Sequence, residues 1–107
     1  MTKTNDFADF VRNLRLKLEI SQENLARILG VSLRTISRWE LGQSQPDHEL
    51  KDRLIRLKEL IDILATKMES EVMLQWLISP NEQLHYYAPN NLLNSDYDLK
   101  VLLDLFS

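Results

Sequence analysis

The chain has 107 residues, 44% hydrophobic and 27% charged, which is the length and composition of an ordinary small globular protein. Two glycines, three prolines and 7% aromatics favour helices over turn-rich β structure, and the lack of cysteine excludes disulfides, thiolate metal sites and cysteine nucleophiles. The net charge of −3 argues, taken alone, against nucleic acid, no apolar run reaches the ~18–20 residues of a membrane span, and Met1–Phe10 carries acids where a signal peptide needs an apolar stretch, so the expectation is a soluble, cytoplasmic, mostly helical protein.

In chain order, residues 5–19 predict an amphipathic helix, with Phe7, Phe10, Val11, Leu14 and Leu18 on one face and Asn5 or Asp6 as N-cap. Ser21 starts a second helix that buries Leu25, Ala26, Ile28 and Leu29 and stops at Gly30, since glycine enters the left-handed conformation without steric cost. Ser32 caps a third helix with Ile36 and Trp39 inward, ended by Gly42. Two short helices joined by a tight glycine turn, the second carrying arginines outward, describe a helix-turn-helix. A long helix is expected from Asp47 to about Met68, its apolar seam running Leu50, Leu54, Leu57, Ile61, Leu64, Met68 at 4-3-4-3-4 spacing. Ser70 is expected to cap a short helix through Leu77, which Ser79-Pro80-Asn81 ends. An irregular segment then spans 79–91, and a last helix runs from about Asp96 to Phe106 with Val101, Leu102 and Leu105 as its stripe. The fold class is all-α: an N-terminal helix-turn-helix bundle over 1–65, and a small C-terminal helical unit over 66–107 that dimerises the protein or binds a partner.

Charge is uneven along this frame. Residues 1–46 hold seven Lys/Arg against five acids, whereas from Glu69 onward Lys100 faces six acids alone. A head of this kind tolerates phosphates and a tail of this kind repels them. Catalysis finds little to stand on: His48 and His85 lie 37 residues apart without a second ligand at metal spacing, and two glycines twelve apart make no phosphate loop. No enzymatic activity, metal or cofactor is expected.

The spacing Gln22-x-x-Leu25-Ala26-x-x-x-Gly30-Val31-Ser32-x-x-Thr35-Ile36-Ser37-x-Trp39-Glu40-x-Gly42-x-x-x-Pro46 resembles the DNA-binding domain of the Xre family, related to the lambdoid phage repressors. The resemblance implies roles residue by residue. Gln22 would bond a phosphate at a helix N-terminus, where exposed amides already favour an anion. Ser32, Leu33, Arg34, Ser37 and Arg38 would face DNA from the recognition helix, with Arg34 reading guanine O6 and N7 and Leu33 meeting a thymine methyl. Gln43 and Ser44 would contact the backbone, and Arg15 would pair with Glu40 between helices as a structural element. Glu19 stands where the family often has glycine. Such proteins usually bind duplex DNA as dimers on half-sites about 34 Å apart or multiples of that. The seam holding Leu57, Ile61, Leu64 and Met68 is either the dimer contact or the core of its own domain.

The segment Trp76-Leu77-x-x-Pro80-Asn81-x-x-Leu84, followed by Pro89-x-x-Leu92-Leu93 and then Val101 and Leu105, is similar to the toxin-binding domain behind Xre-type modules in antitoxins. Partners in that family are RES-type toxins, which consume NAD. The family commonly has Gly-Gly where this chain has His85-Tyr86, and a glycine where it has Asp96 to Asp98. Trp76 is expected to be a buried anchor, with at least one of Tyr86 and Tyr87 exposed toward a partner. The leading expectation is a sequence-specific transcriptional regulator, a dimeric repressor of its own operon. The alternative is an antitoxin whose C-terminal unit binds and neutralises a cognate toxin.

Overall fold

A computed structural model describes residues 6–106, and the element order among them is six α-helices and two short 3₁₀ turns. Helices α1 (Asp6–Leu18), α2 (Gln22–Leu29) and α3 (Leu33–Glu40) belong to one compact unit, Met1–Asp47. Helices α4 (His48–Leu64), α5 (Ser70–Ile78) and α6 (Asp96–Asp104), with 3₁₀ turns at Glu82–Leu84 and Pro89–Asn91, belong to a second, His48–Ser107. The helix from His48, expected to complete the first domain, thus groups with the second. None of these helices is long and apolar enough to cross a membrane.

In the first unit each helix end follows from a local rule. Asp6 opens α1 as its first residue, while Asn5, the other N-cap expected there, lies outside the described residues. Ser21 and Ser32 cap α2 and α3, their hydroxyls accepting from the amides of Asn24 and Thr35 at 3.1 Å each. The α2 helix closes on Gly30 at φ 72°, with the Val31 amide reaching back to the Ala26 carbonyl at 3.0 Å. Glu19 closes α1 in the same way at φ 55°, its own amide bonding Leu16 and that of Ile20 bonding Arg15, both at 3.1 Å. At this position, where the family often has glycine, the chain takes a glycine-type closure, and a glutamate bears the left-handed strain of ~1–2 kcal/mol. Val11, Leu14, Leu18, Leu25, Ile28, Leu29, Ile36 and Trp39 are buried, and Phe7 meets the Trp39 ring edge-on at 5.7 Å.

In the second unit α4 stops at Leu64, short of the expected Met68. The Thr66 hydroxyl donates to the Ile63 carbonyl at 2.7 Å and the turn tightens behind it, the local competition by which threonine ends helices. Leu54, Leu57, Leu60, Ile61 and Leu64 have no exposed surface at all. Of the residues read as a possible dimer contact, Leu57, Ile61 and Leu64 are therefore core within one chain, because a side chain without accessible surface cannot meet a second copy. Met68 is half-buried. Leu60 joins the seam because a helix packed on its own unit buries a wider stripe than a two-stranded coil does.

Glu69, not Ser70, is the residue before α5, and it caps the helix without a side-chain bond. Met73 and Leu77, one turn apart, take the inner face of α5. Trp76 is offset from both and is half-buried, not the fully buried anchor expected. It lies edge-on to Phe106 at 5.1 Å. Arg53 donates to the Asn90 carbonyl at 3.2 Å, and Arg56 to the Leu93 carbonyl at 3.2 Å and to Asp96 at 3.1 Å. These two arginines on α4 pin the segment that leads into α6. Ser95 caps α6 by accepting from the Asp98 amide at 3.1 Å, and α6 ends at Asp104, leaving Phe106 in the turn beyond it.

Candidate functional site

The first unit presents a shallow depression lined by Gln22, Leu33, Arg34, Ser37, Arg38 and Gln43. These are six of the eight residues that the resemblance implies at DNA, and α3 delivers four of them because Ile36 and Trp39 anchor its opposite side. Arg34, Arg38 and Gln43 are exposed, and Leu33 keeps 48% of its surface open to solvent. Neither arginine makes an ion pair or a side-chain hydrogen bond with any other described residue, so both guanidinium forks are available to an outside acceptor. Ser32 and Ser44 are exposed but do not line the depression, and Ser32 is already engaged as the helix cap and with the Thr35 hydroxyl at 2.9 Å.

Beneath this surface lies a charged network. Arg15 grips Glu40 with two bonds, Nε to Oε2 at 2.8 Å and a terminal nitrogen to Oε1 at 2.9 Å, joining α1 to α3 as expected. Glu40 is only 6% exposed, and its carboxyl is held below the ordinary glutamate value, chiefly by the Arg15 hydrogen bonds against the opposing cost of burial. Two further ties have no signature in residue spacing. Arg12 donates to the Glu40 carbonyl at 2.7 Å, and the Gln22 amide donates to Glu40 Oε1 at 3.1 Å. Gln22 is thus fixed from below by the same carboxylate that Arg15 neutralises, leaving the outer part of its amide for a ligand.

The second unit carries an independent surface of different chemistry. From Asn81 to Tyr87 the chain folds into a tight hydrogen-bonded turn. Asn81 Oδ1 accepts from the Gln83 amide at 2.8 Å, the Asn81 carbonyl accepts from Tyr86 at 2.8 Å, and the Asn81 amide donates to the Tyr87 carbonyl at 3.1 Å. This closure requires two consecutive left-handed residues, His85 at φ 55° and Tyr86 at φ 69°. They are the two positions where the antitoxin-type pattern carries glycines, and here two large side chains take the left-handed conformation that glycine adopts most readily. Tyr86 and Tyr87 are both exposed, as is Tyr97 on α6. Among the described residues no group of His, Asp and Glu is arranged to hold a metal ion.

A family model described as helix-turn-helix matches residues 11–50. The mycobacterial cidal antitoxin MbcA of Mycobacterium bovis, like that of Mycobacterium tuberculosis, is 31% identical over 98 residues, which is 92% of this chain and 87% of the relative. A probable mycobacterial cidal antitoxin of Mycobacterium tuberculosis is 31% identical over 77 residues, 72% of this chain and 65% of that protein. The crystal structure of the M. tuberculosis MbcT–MbcA toxin–antitoxin complex contains a chain that superposes with a TM-score of 0.71 at 31% identity, covering 94% of this chain and 90% of that one. The likeness runs through both compact units, and with an Xre-type helix-turn-helix in the first of them the chain belongs to the family of the antitoxin MbcA.

Proposed function

We propose that this protein is an antitoxin: its second unit binds and neutralises a cognate toxin protein, and its helix-turn-helix binds duplex DNA to repress the operon that encodes the pair. The observation that carries this reading is the span of the likeness to MbcA, a protein named as an antitoxin and solved in complex with the toxin MbcT. It extends far beyond the residues matched to the helix-turn-helix, so the antitoxin reading takes precedence over that of a regulator alone.

For DNA, Arg34 reads a guanine edge, Leu33 packs on a thymine methyl, Arg38 contacts a base or phosphate one turn on, and Gln22, Gln43 and Ser44 hold the backbone. The exposure of Arg34 and Arg38, and their lack of side-chain partners among the described residues, support this assignment. Ser32 and Ser37 complete the DNA-facing surface, Ser32 mainly by setting the start of α3. The DNA-bound form is a homodimer on two half-sites, with its contact made by exposed residues instead of the buried α4 seam. Met68, Tyr86 and Tyr87 remain accessible to a partner.

Co-expression tests the proposal. The product of the neighbouring gene, induced alone, arrests growth, and co-induction of this chain restores growth and yields a complex that survives purification. Arrest that this chain does not relieve, with no complex formed, contradicts the antitoxin reading. The DNA half is tested by titrating the upstream region against a random duplex at ~150 mM salt, where non-specific attraction is weakened. Equal affinity for both would contradict it.

A further inference from the structure

A depression of about 380 Å3 opens in the second unit between the 82–87 turn and α6. Leu84, Leu92 and Val101 give it apolar lining, Tyr87, Tyr97 and Asp98 line it as well, and Gln83 and His85 complete it. Tyr87 is 59% and Tyr97 72% exposed, a density of open aromatic surface that ordinary folding does not require. The carboxylate of Asp98 is half committed: Oδ2 accepts from the Asn94 amide at 2.9 Å, while Oδ1 has no hydrogen-bond partner among the described residues. Glu82, on the turn itself, makes no ion pair there either. Lys100 is the one base after Glu69 and already faces Asp104 at 4.0 Å.

We infer that this depression is a socket for an arginine side chain presented by the protein partner. The inference rests on the antitoxin reading for the identity of that partner and on the depression's own chemistry for the residue it accepts. An apolar group would cover the leucines and Val101 but strip water from Asp98 without replacing its hydrogen bonds. A lysine would meet the carboxylate as a point charge and leave the tyrosine faces unused. A guanidinium does both, stacking its plane on a ring while its fork meets Oδ1 and its methylene stem covers Leu84, Leu92 and Val101. The volume, at the low end of the about 300–1,000 Å3 of ligand sites, suits one long side chain better than a cofactor. The left-handed pair His85-Tyr86 fits this role, because it returns the chain to Asn81 and sets Tyr87 at the rim, a strained geometry of the kind retained where a surface is used.

Two experiments on the full chain test the socket. Titration with N-acetyl-argininamide, followed by amide chemical shifts, moves residues of the 82–87 turn, Leu92 and the start of α6 in a saturable way. The lysine analogue moves them less, and the uncharged citrulline analogue leaves them in place. No response, or the same response to all three, overturns the socket whether or not a toxin partner exists. In complex with the toxin from the co-expression experiment, Tyr87→Ala and Tyr97→Ala each weaken binding by about tenfold or more, with circular dichroism unchanged because both rings are exposed. Wild-type affinity in both variants overturns the socket while leaving the antitoxin reading intact, and failure of the wild-type chain to bind the toxin overturns that reading while the arginine titration still judges the depression.

Discussion

The two units solve the same problem, a small helical core with a working surface, with opposite electrostatics. At the depression of the first, acid is buried and base is displayed: Glu40 is sealed beneath it by Arg15 and Gln22, while Arg34 and Arg38 face solvent without side-chain partners among the described residues. At the depression of the second the signs are reversed: Arg53 and Arg56 are engaged in holding the loop before α6, while Asp98 stands beside exposed Tyr87 and Tyr97. A net charge of −3 averages these into a number that describes neither. Where each sign is consumed, more than how much of it there is, decides whether a surface suits a phosphate backbone or a protein.

The sharpest way to break the first unit is to open its buried pair. Arg15→Ala leaves the Glu40 carboxylate at 6% exposure without its main partner and should cost about 3–5 kcal/mol in thermal or denaturant unfolding. Replacing both members, as Arg15→Met with Glu40→Leu, should recover most of that loss, since the pair's desolvation disappears with it. The same network gives a pH signature. Because the Glu40 value is lowered in the folded chain, chiefly by the Arg15 hydrogen bonds, the unfolded chain takes up this proton first on acidification. The contribution is complete above the ordinary glutamate value of about 4.3 and is lost as pH falls through the folded value. Acid titration of Glu40→Gln should show a flatter fall over that range than wild type.

Next in size is the core of the second unit. Leu57→Ala should cost about 2–5 kcal/mol, with an unfolding midpoint that falls by the same amount at every protein concentration. A loss that vanished at high concentration would return Leu57 to a dimer interface. On the DNA side, Arg34→Ala should lose about 1–3 kcal/mol of discrimination at one operator base pair, whereas Gln22→Ala should weaken all sequences about equally.

The smallest effect compares the turns. Glu19 and Tyr86 are both left-handed residues with side chains, and glycine at either position should stabilise the chain by about 1 kcal/mol, as read by thermal melting. They should differ in function. Glu19→Gly should be silent, whereas Tyr86→Gly should gain stability and lose partner affinity.

The first unit was legible because its signals are local. Ser21, Ser32, Gly30 and Gly42 act within four residues of where they stand, and the family resemblance carried by the residues from Gln22 to Pro46 implied the DNA-facing positions and the Arg15–Glu40 pair. The second unit hid what depends on packing. A 4-3-4-3-4 seam states that one face of a helix is covered but not by what, and the structure gives its middle, Leu54, Leu57, Ile61 and Leu64, to the chain's own core. Trp76 carries the largest side chain in its segment, yet Met73 and Leu77 take the inner face because their one-turn spacing matches the helix better. The left-handed geometry of His85 and Tyr86 has no trace in their own propensities and shows only against a pattern with glycines there. The depression beside α6 joins residues as far apart as Gln83 and Val101, a neighbourhood that only folding creates.

The central claim is a division of labour between the two surfaces, and the most direct measurement is a double dissociation. Arg34→Ala and Tyr87→Ala are each titrated with operator DNA and with the co-expressed toxin, both side chains being exposed and outside the core. Arg34→Ala should lose operator affinity and keep the toxin, while Tyr87→Ala should lose the toxin and keep the operator. Loss of both ligands by either variant, or of neither, would contradict it.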